Sequence, residues 1–143
     1  MLVSPGGLKP PEAETWDYFV NSGKEAFEQA FHEPPQSPEY AQYYGNEWDP
    51  EEAEQVEINR EMAPRILWKP YMKSHTLAPL LGGVDTETLP VWGREGRIIP
   101  LNTCQLFQSA IKGAKTHILG GCGHMPEMEK PSEFAAVVSD FLH

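Results

Sequence analysis

The chain has 143 residues, of which 40% are hydrophobic, 22% charged and 10% aromatic, enough apolar surface for one folded domain and too much for a wholly disordered chain. Its longest apolar runs, such as Phe134-Ala135-Ala136-Val137-Val138, fall well short of the ~18–20 residues of a membrane span, and two cysteines, Cys104 and Cys122, make neither a disulfide framework nor a four-cysteine zinc site. The net charge of −10 is concentrated in residues 1–62, where 14 Asp/Glu against three Lys/Arg give −11, so a polyanion is repelled there and nucleic acid is not an expected partner.

The first residues, Met1-Leu2-Val3-Ser4-Pro5-Gly6-Gly7, carry neither a basic region nor a long apolar stretch, so they do not read as a secretory signal. No membrane association is expected, and a cytoplasmic location is the expectation. The acidic half reads as a solvated helical surface, with an acidic docking face as the alternative. Residues 63–143, with seven acids against eight basic residues, mark a second subregion.

In chain order, Met1–Ser4 is a short apolar run stopped by Pro5-Gly6-Gly7, the pattern of a strand end and a turn. Lys9-Pro10-Pro11 reads as a stiff connection. Thr15 is the expected N-cap of a helix whose apolar residues, Trp16, Phe19, Val20, Phe27 and Phe31, recur at helical spacing. Pro34-Pro35 closes it, and Gln36–Trp48 reads as turn-rich and aromatic. Asp49-Pro50-Glu51-Glu52 is a strong helix start: a capping acid, a proline at the first position and acids at the positive helix end. That helix is expected to reach Ala63 and to be kinked or divided at Pro64.

A short piece around Leu77–Leu81 leads to Thr88–Trp92, read as a buried strand with Pro90 an oddity inside it. Leu101–Ile111 is an amphipathic helix before Gly113, Lys115–Leu119 a second strand and Pro131–Leu142 a last helix. Strand, helix, strand, helix over 88–142 is the alternation of a parallel α/β sheet. Chemistry in such sheets collects beyond the carboxyl ends of the strands, here in loops 93–99 and 120–130.

Those loops carry a resemblance. Trp92-Gly93-Arg94-Glu95-Gly96-Arg97-Ile98-Ile99-Pro100 resembles the acid-bearing loop of the α/β-hydrolases, and Gly123-His124-Met125-Pro126-Glu127-Met128-Glu129-Lys130-Pro131 is similar to their histidine loop. The resemblance implies an α/β fold holding part of a parallel-sheet hydrolase core, with an N-terminal helical cap region. Residues 1–8 would end a core strand, 9–75 would form the cap and 76–143 the C-terminal core portion. It implies hydrolysis of an ester, or of a carbon–carbon bond beside a carbonyl, with His124 as general base.

Two departures accompany the resemblance. The family's nucleophile elbow, Gly-x-Ser-x-Gly, is not found around any of the seven serines. The position of the acid that orients the imidazole is Gly96, and the adjacent Glu95 is a weak substitute. The chain is therefore read as the C-terminal portion of a capped hydrolase, a truncation expected to be inactive by itself. A non-catalytic binding or interaction module that keeps hydrolase architecture is the alternative.

Trp68, Tyr71 and Met125 are candidates to line a substrate pocket, although the aromatic residues are as simply explained by cap packing. The expected partner is a small apolar carbonyl compound, bound once an N-terminal half completes the site. A homodimer through an exposed sheet edge is also foreseen. No cofactor is expected. Cys122 and His124 fall far short of a metal site, and His117 reads as strand packing.

Overall fold

The computed structural model describes residues 1–10 and 15–143. Pro11, part of the expected stiff connection, lies outside the described residues. Three short strands, β1 (Leu2–Val3), β2 (Pro90–Gly93) and β3 (His117–Leu119), form one parallel sheet in that order. Leu2 pairs with Pro90 and Val3 with Val91, while Val91, Trp92 and Gly93 pair with His117, Ile118 and Leu119. Pro90 is the first residue of β2, a position where a missing N–H is tolerated even in a central strand. The oddity in the sequence is thus a matter of register.

Alternation along β2 sends neighbouring side chains to opposite faces. Trp92 enters a core with Phe107 and Ile111, contributed by α5 (Thr103–Ala110) and its end, and with Phe31 and Tyr40. Val91 and Leu89 enter a second core with Leu119 and Cys122, covered by Phe134, Val137 and Phe141 of α7 (Pro131–Leu142). One helix on each face encloses the strand. His117 is on β3 as expected, but it is exposed and packs into neither core.

Among the described residues, three α-helices and a short 3-10 turn (Pro34–Gln36) precede the short α4 (Leu77–Leu81). Thr15 does not start the first. α1 (Gly23–Ala30) begins at Ser22, whose hydroxyl accepts the Glu25 N–H while the Glu25 carboxylate accepts the Ser22 N–H, a reciprocal cap. Residues upstream form a turn in which Asp17 accepts the Phe19 N–H. The apolar spacing of Trp16 and Phe19 reflects burial of an irregular segment. Gln36–Trp48 is more ordered than its composition suggests, because Ser37 caps α2 (Pro38–Tyr43) by accepting the Tyr40 N–H.

α3 (Pro50–Leu67) starts as expected, with Asp49 accepting the Glu51 and Glu52 N–H groups. It continues past Pro64 without dividing. A single turn, α6 (Pro126–Glu129), precedes α7 and has no separate signature in the sequence pattern. No helix among the described residues is long and apolar enough to cross a membrane.

Candidate active site at the ends of the strands

The two loops leave β2 and β3 side by side because those strands are parallel. Arg94 donates its N–H to the Leu119 carbonyl at 2.8 Å, and Glu95 donates to the Cys122 carbonyl at 3.0 Å. Contact is so close that a Cβ on Gly93 would overlap the carbonyl oxygens of Gly123 and Cys122. Glycine there is a steric requirement of the backbone approach.

His124 follows directly. Its N–H donates to the Ala30 carbonyl at 2.6 Å, which ties the histidine loop to the end of α1. The ring nitrogen Nδ1 is sealed from solvent with no hydrogen-bond partner among the described residues. Burial lowers the imidazole pKa from 6.5 to about 4, since a cation is costly away from water. His124 is therefore neutral at physiological pH.

Glu95 does not turn to the imidazole. Its carboxylate accepts the Cys122 N–H at 2.9 Å, and that bond holds its pKa below the ordinary carboxylate value. This acceptor role explains why adjacency in sequence does not make Glu95 a partner of His124. Gly96 does lie against the histidine loop, where an added Cβ would stand 3.6 Å from the Gly123 carbonyl oxygen.

His124 and Met125 line a cavity of about 240 Å³ together with Tyr18, Phe27, Val56 and Arg60. The lid of this cavity is made by α1 and α3, packed so tightly that a Cβ on Gly23 would lie 2.5 Å from the Val56 side chain. A more open cleft of about 440 Å³ lies beyond Phe27 and Val56 and does not include His124. Trp68 and Tyr71 do not line the His124 cavity. They follow the end of α3 and pack edge-on against Phe19, with ring centroids 5.6 and 5.5 Å away, and Trp68 is half exposed.

Two residues of the site have little signal in the sequence. Arg60 stands out only as one of three basic residues in an acidic half, yet its side chain is 16% exposed and its Nε is sealed without a partner. Glu129 belongs to the Glu-Lys-Pro run before α7, a motif without a stated role. Its carboxylate accepts the N–H groups of Gly123 and His32, both at 2.7 Å. Burial raises its pKa and those two bonds oppose the rise.

A parallel strand–helix–strand unit, helices on both faces and a histidine beyond the carboxyl ends of the strands match part of an α/β-hydrolase core. The chain is similar to proteins of that fold family. No protein-family model matches it. It is 39% identical over 80 residues to the 2-hydroxymuconate semialdehyde hydrolase of Pseudomonas sp. (strain CF600), a match spanning 56% of this chain and 28% of the relative. It is 31% identical over 94 residues to the 2-hydroxy-6-oxo-6-phenylhexa-2,4-dienoate hydrolase of Comamonas testosteroni, across 66% of this chain and 30% of the relative. Among solved structures, a membrane phospholipase A superposes with a TM-score of 0.74 over 99% of this chain and 47% of its own, at 22% identity, which speaks to fold alone. The chain thus spans less than half the length of these proteins.

Proposed function

We propose that the chain supplies the general base, the cap and the substrate cavity of a hydrolase that cleaves a small carbonyl-containing acid at an ester or at a carbon–carbon bond beside the carbonyl. The observation that carries this reading is a buried, neutral His124 lining a largely apolar cavity under α1 and α3. A hydroxyl nucleophile entering that cavity would pass its proton to the imidazole as it attacks the carbonyl carbon. None of the seven serines stands in a Gly-x-Ser-x-Gly turn, so the nucleophile belongs to residues other than these 143, and this polypeptide alone turns nothing over.

Arg60 supports the acid as the substrate class. Arg60 lines the cavity, and its Nη1 meets Glu57 at 3.2 Å. A carboxylate offers acceptors for such a guanidinium. The similar hydrolases above act on semialdehydes or dienoates that carry one. The second reading, a binding module without turnover, is favoured by the unpartnered Nδ1 of His124 and by glycine at position 96.

Titration of the chain with 2-hydroxymuconate semialdehyde, followed by tryptophan fluorescence, tests the cavity. Saturable binding is expected, weakened about tenfold or more by Arg60→Gln, the value of a charge-assisted hydrogen bond. Binding that ignores Arg60→Gln and His124→Ala, or no binding, overturns the substrate assignment. Stoichiometric serine labelling by a fluorophosphonate would overturn the placement of the nucleophile. A polypeptide carrying the serine elbow that confers turnover on this chain separates the hydrolase from the binding module.

A further inference from the structure

We infer that Glu129 is a positioning residue that clamps the histidine loop to the chain leaving α1, so that the imidazole of His124 is held against the cap. The inference rests on the reading of His124 as general base, and the geometry itself does not. Oε1 accepts the Gly123 N–H and Oε2 accepts the His32 N–H, so one carboxylate joins two segments, one of them 97 residues away in sequence. The His124 N–H to Ala30 carbonyl bond lies between these two points.

Contact at the clamp leaves no slack. A Cβ on Gly123 would lie 2.5 Å from the Ala30 carbonyl oxygen, 2.7 Å from the His32 nitrogen and 2.9 Å from Oε1 of Glu129. The cap segment, the carboxylate and the histidine loop are in van der Waals contact through bare backbone. Glu129 is set by α6, a single turn braced by the Glu129 and Lys130 N–H groups on Met125 and Pro126 carbonyls. Any displacement of α1 relative to the sheet must pull on Gly123 and so on His124.

Both carboxylate oxygens are used, which makes glutamate distinct from glutamine. A glutamine side chain has one acceptor oxygen, and its NH2 would face the second N–H, donor against donor, in either orientation. Glu129→Gln therefore keeps the shape and loses one anchor. The charged or titratable groups beside it are His32 and Cys122, and Glu33 and Lys130 share a cleft with it.

Amide exchange and NMR titration of His124 test the clamp without requiring turnover or a ligand. In Glu129→Gln, the Gly123 or His32 amide is expected to exchange about tenfold faster or more, with the amides of β2 and β3 unchanged. The His124 ring is expected to titrate at higher pH than in the parent, because a loosened loop rehydrates it. Loss of a nearby anion alone would shift it downward, so a rise separates repositioning from charge. The control Asp140→Asn, exposed on α7, is expected to move neither signal. An unmoved or lowered titration, or exchange rising uniformly through the sheet, overturns the inference. If Glu129→Gln does not fold, the parent protein still decides: Gly123 and His32 must open together, at matched rates, and independent opening overturns the clamp. Failure of ligand binding with both of these signals intact would count against the proposed function and not against the clamp.

Discussion

Gly96 and Gly123 face each other across the two loops, at a distance where a methyl group on Gly96 would rest 3.6 Å from the Gly123 carbonyl oxygen. That relationship follows from the parallel pairing of β2 with β3, which points both strand ends the same way. It puts position 96 beside the backbone that carries His124, whose Nδ1 has no partner among the described residues.

Gly96→Asp is therefore expected to place a carboxylate within reach of the imidazole. Gly96 has no positive φ, and the tightest new contact, 3.2 Å to the Gly93 carbonyl, asks for a shift of a few tenths of an ångström. An adjacent anion favours the imidazolium, so the His124 pKa should rise from about 4 by about 1–3 pH units. NMR titration of the His124 ring in the two proteins measures it. An unchanged titration means that the carboxylate does not reach the ring.

The crossing of the loops is predicted to be intolerant of any side chain at Gly93. Alanine there would push against the carbonyl oxygens of Gly123 and Cys122, the second of which already accepts the Glu95 N–H. Overpacking against backbone costs about 3 kcal/mol or more, read as a fall in the urea midpoint. Gly113→Ala is the contrasting case, with open space for a Cβ but a φ of +77°, so only the modest cost of a left-handed alanine, about 1 kcal/mol, applies.

Stability should fall in acid through His124. Its pKa is about 4 in the folded protein against an ordinary value of 6.5, so between those values the unfolded chain binds the extra proton. Stability from this group is fully present above pH 6.5 and is lost progressively as pH falls toward 4, up to roughly 3 kcal/mol. Glu129 works in the opposite sense, because burial raises its carboxyl. The difference in urea midpoint between the parent and His124→Gln, followed from pH 7 to 4, isolates the histidine and should shrink or reverse on acidification.

Both cysteines should be inert in the folded chain. Burial pushes the Cys122 thiol up to about 12, and Cys104 is raised for the same reason. The thiolate is the reactive form, so its population at pH 8 is negligible while the fold persists. An aromatic disulfide reagent is expected to titrate no thiol in native buffer and both in guanidinium chloride. Rapid labelling of Cys122 in the native state would contradict the buried position between β3 and the histidine loop.

The helix caps can be tested separately. Asp49→Ala removes the acceptor for the Glu51 and Glu52 N–H groups at the start of α3 and should cost about 1 kcal/mol. Because α3 forms one wall of the His124 cavity, the same variant should weaken ligand binding modestly, as measured by the fluorescence titration.

Much of this architecture is legible in residue order. Asp49-Pro50-Glu51-Glu52 specifies its helix start locally, since one side chain caps the N–H groups two and three residues ahead. The continuous apolar run Leu89–Trp92, buried on both faces, and the helical spacing in 103–110 and 131–142 reveal a parallel strand–helix unit, because a strand covered on both sides has no polar face while a helix covered on one side keeps a period. The glycine–histidine turn is likewise visible from its position after a strand. Helical spacing misleads where burial is achieved without a helix, as at Trp16 and Phe19.

What only the tertiary structure decided is the pairing of groups distant in sequence. Glu95 accepts from Cys122, Glu129 joins Gly123 to His32, and Arg60 joins His124 in lining one cavity. None of these has a periodic signature. A carboxylate accepts whichever N–H the folded backbone brings within about 3 Å, and over 27 or 97 residues that choice depends on how the helices pack on the sheet.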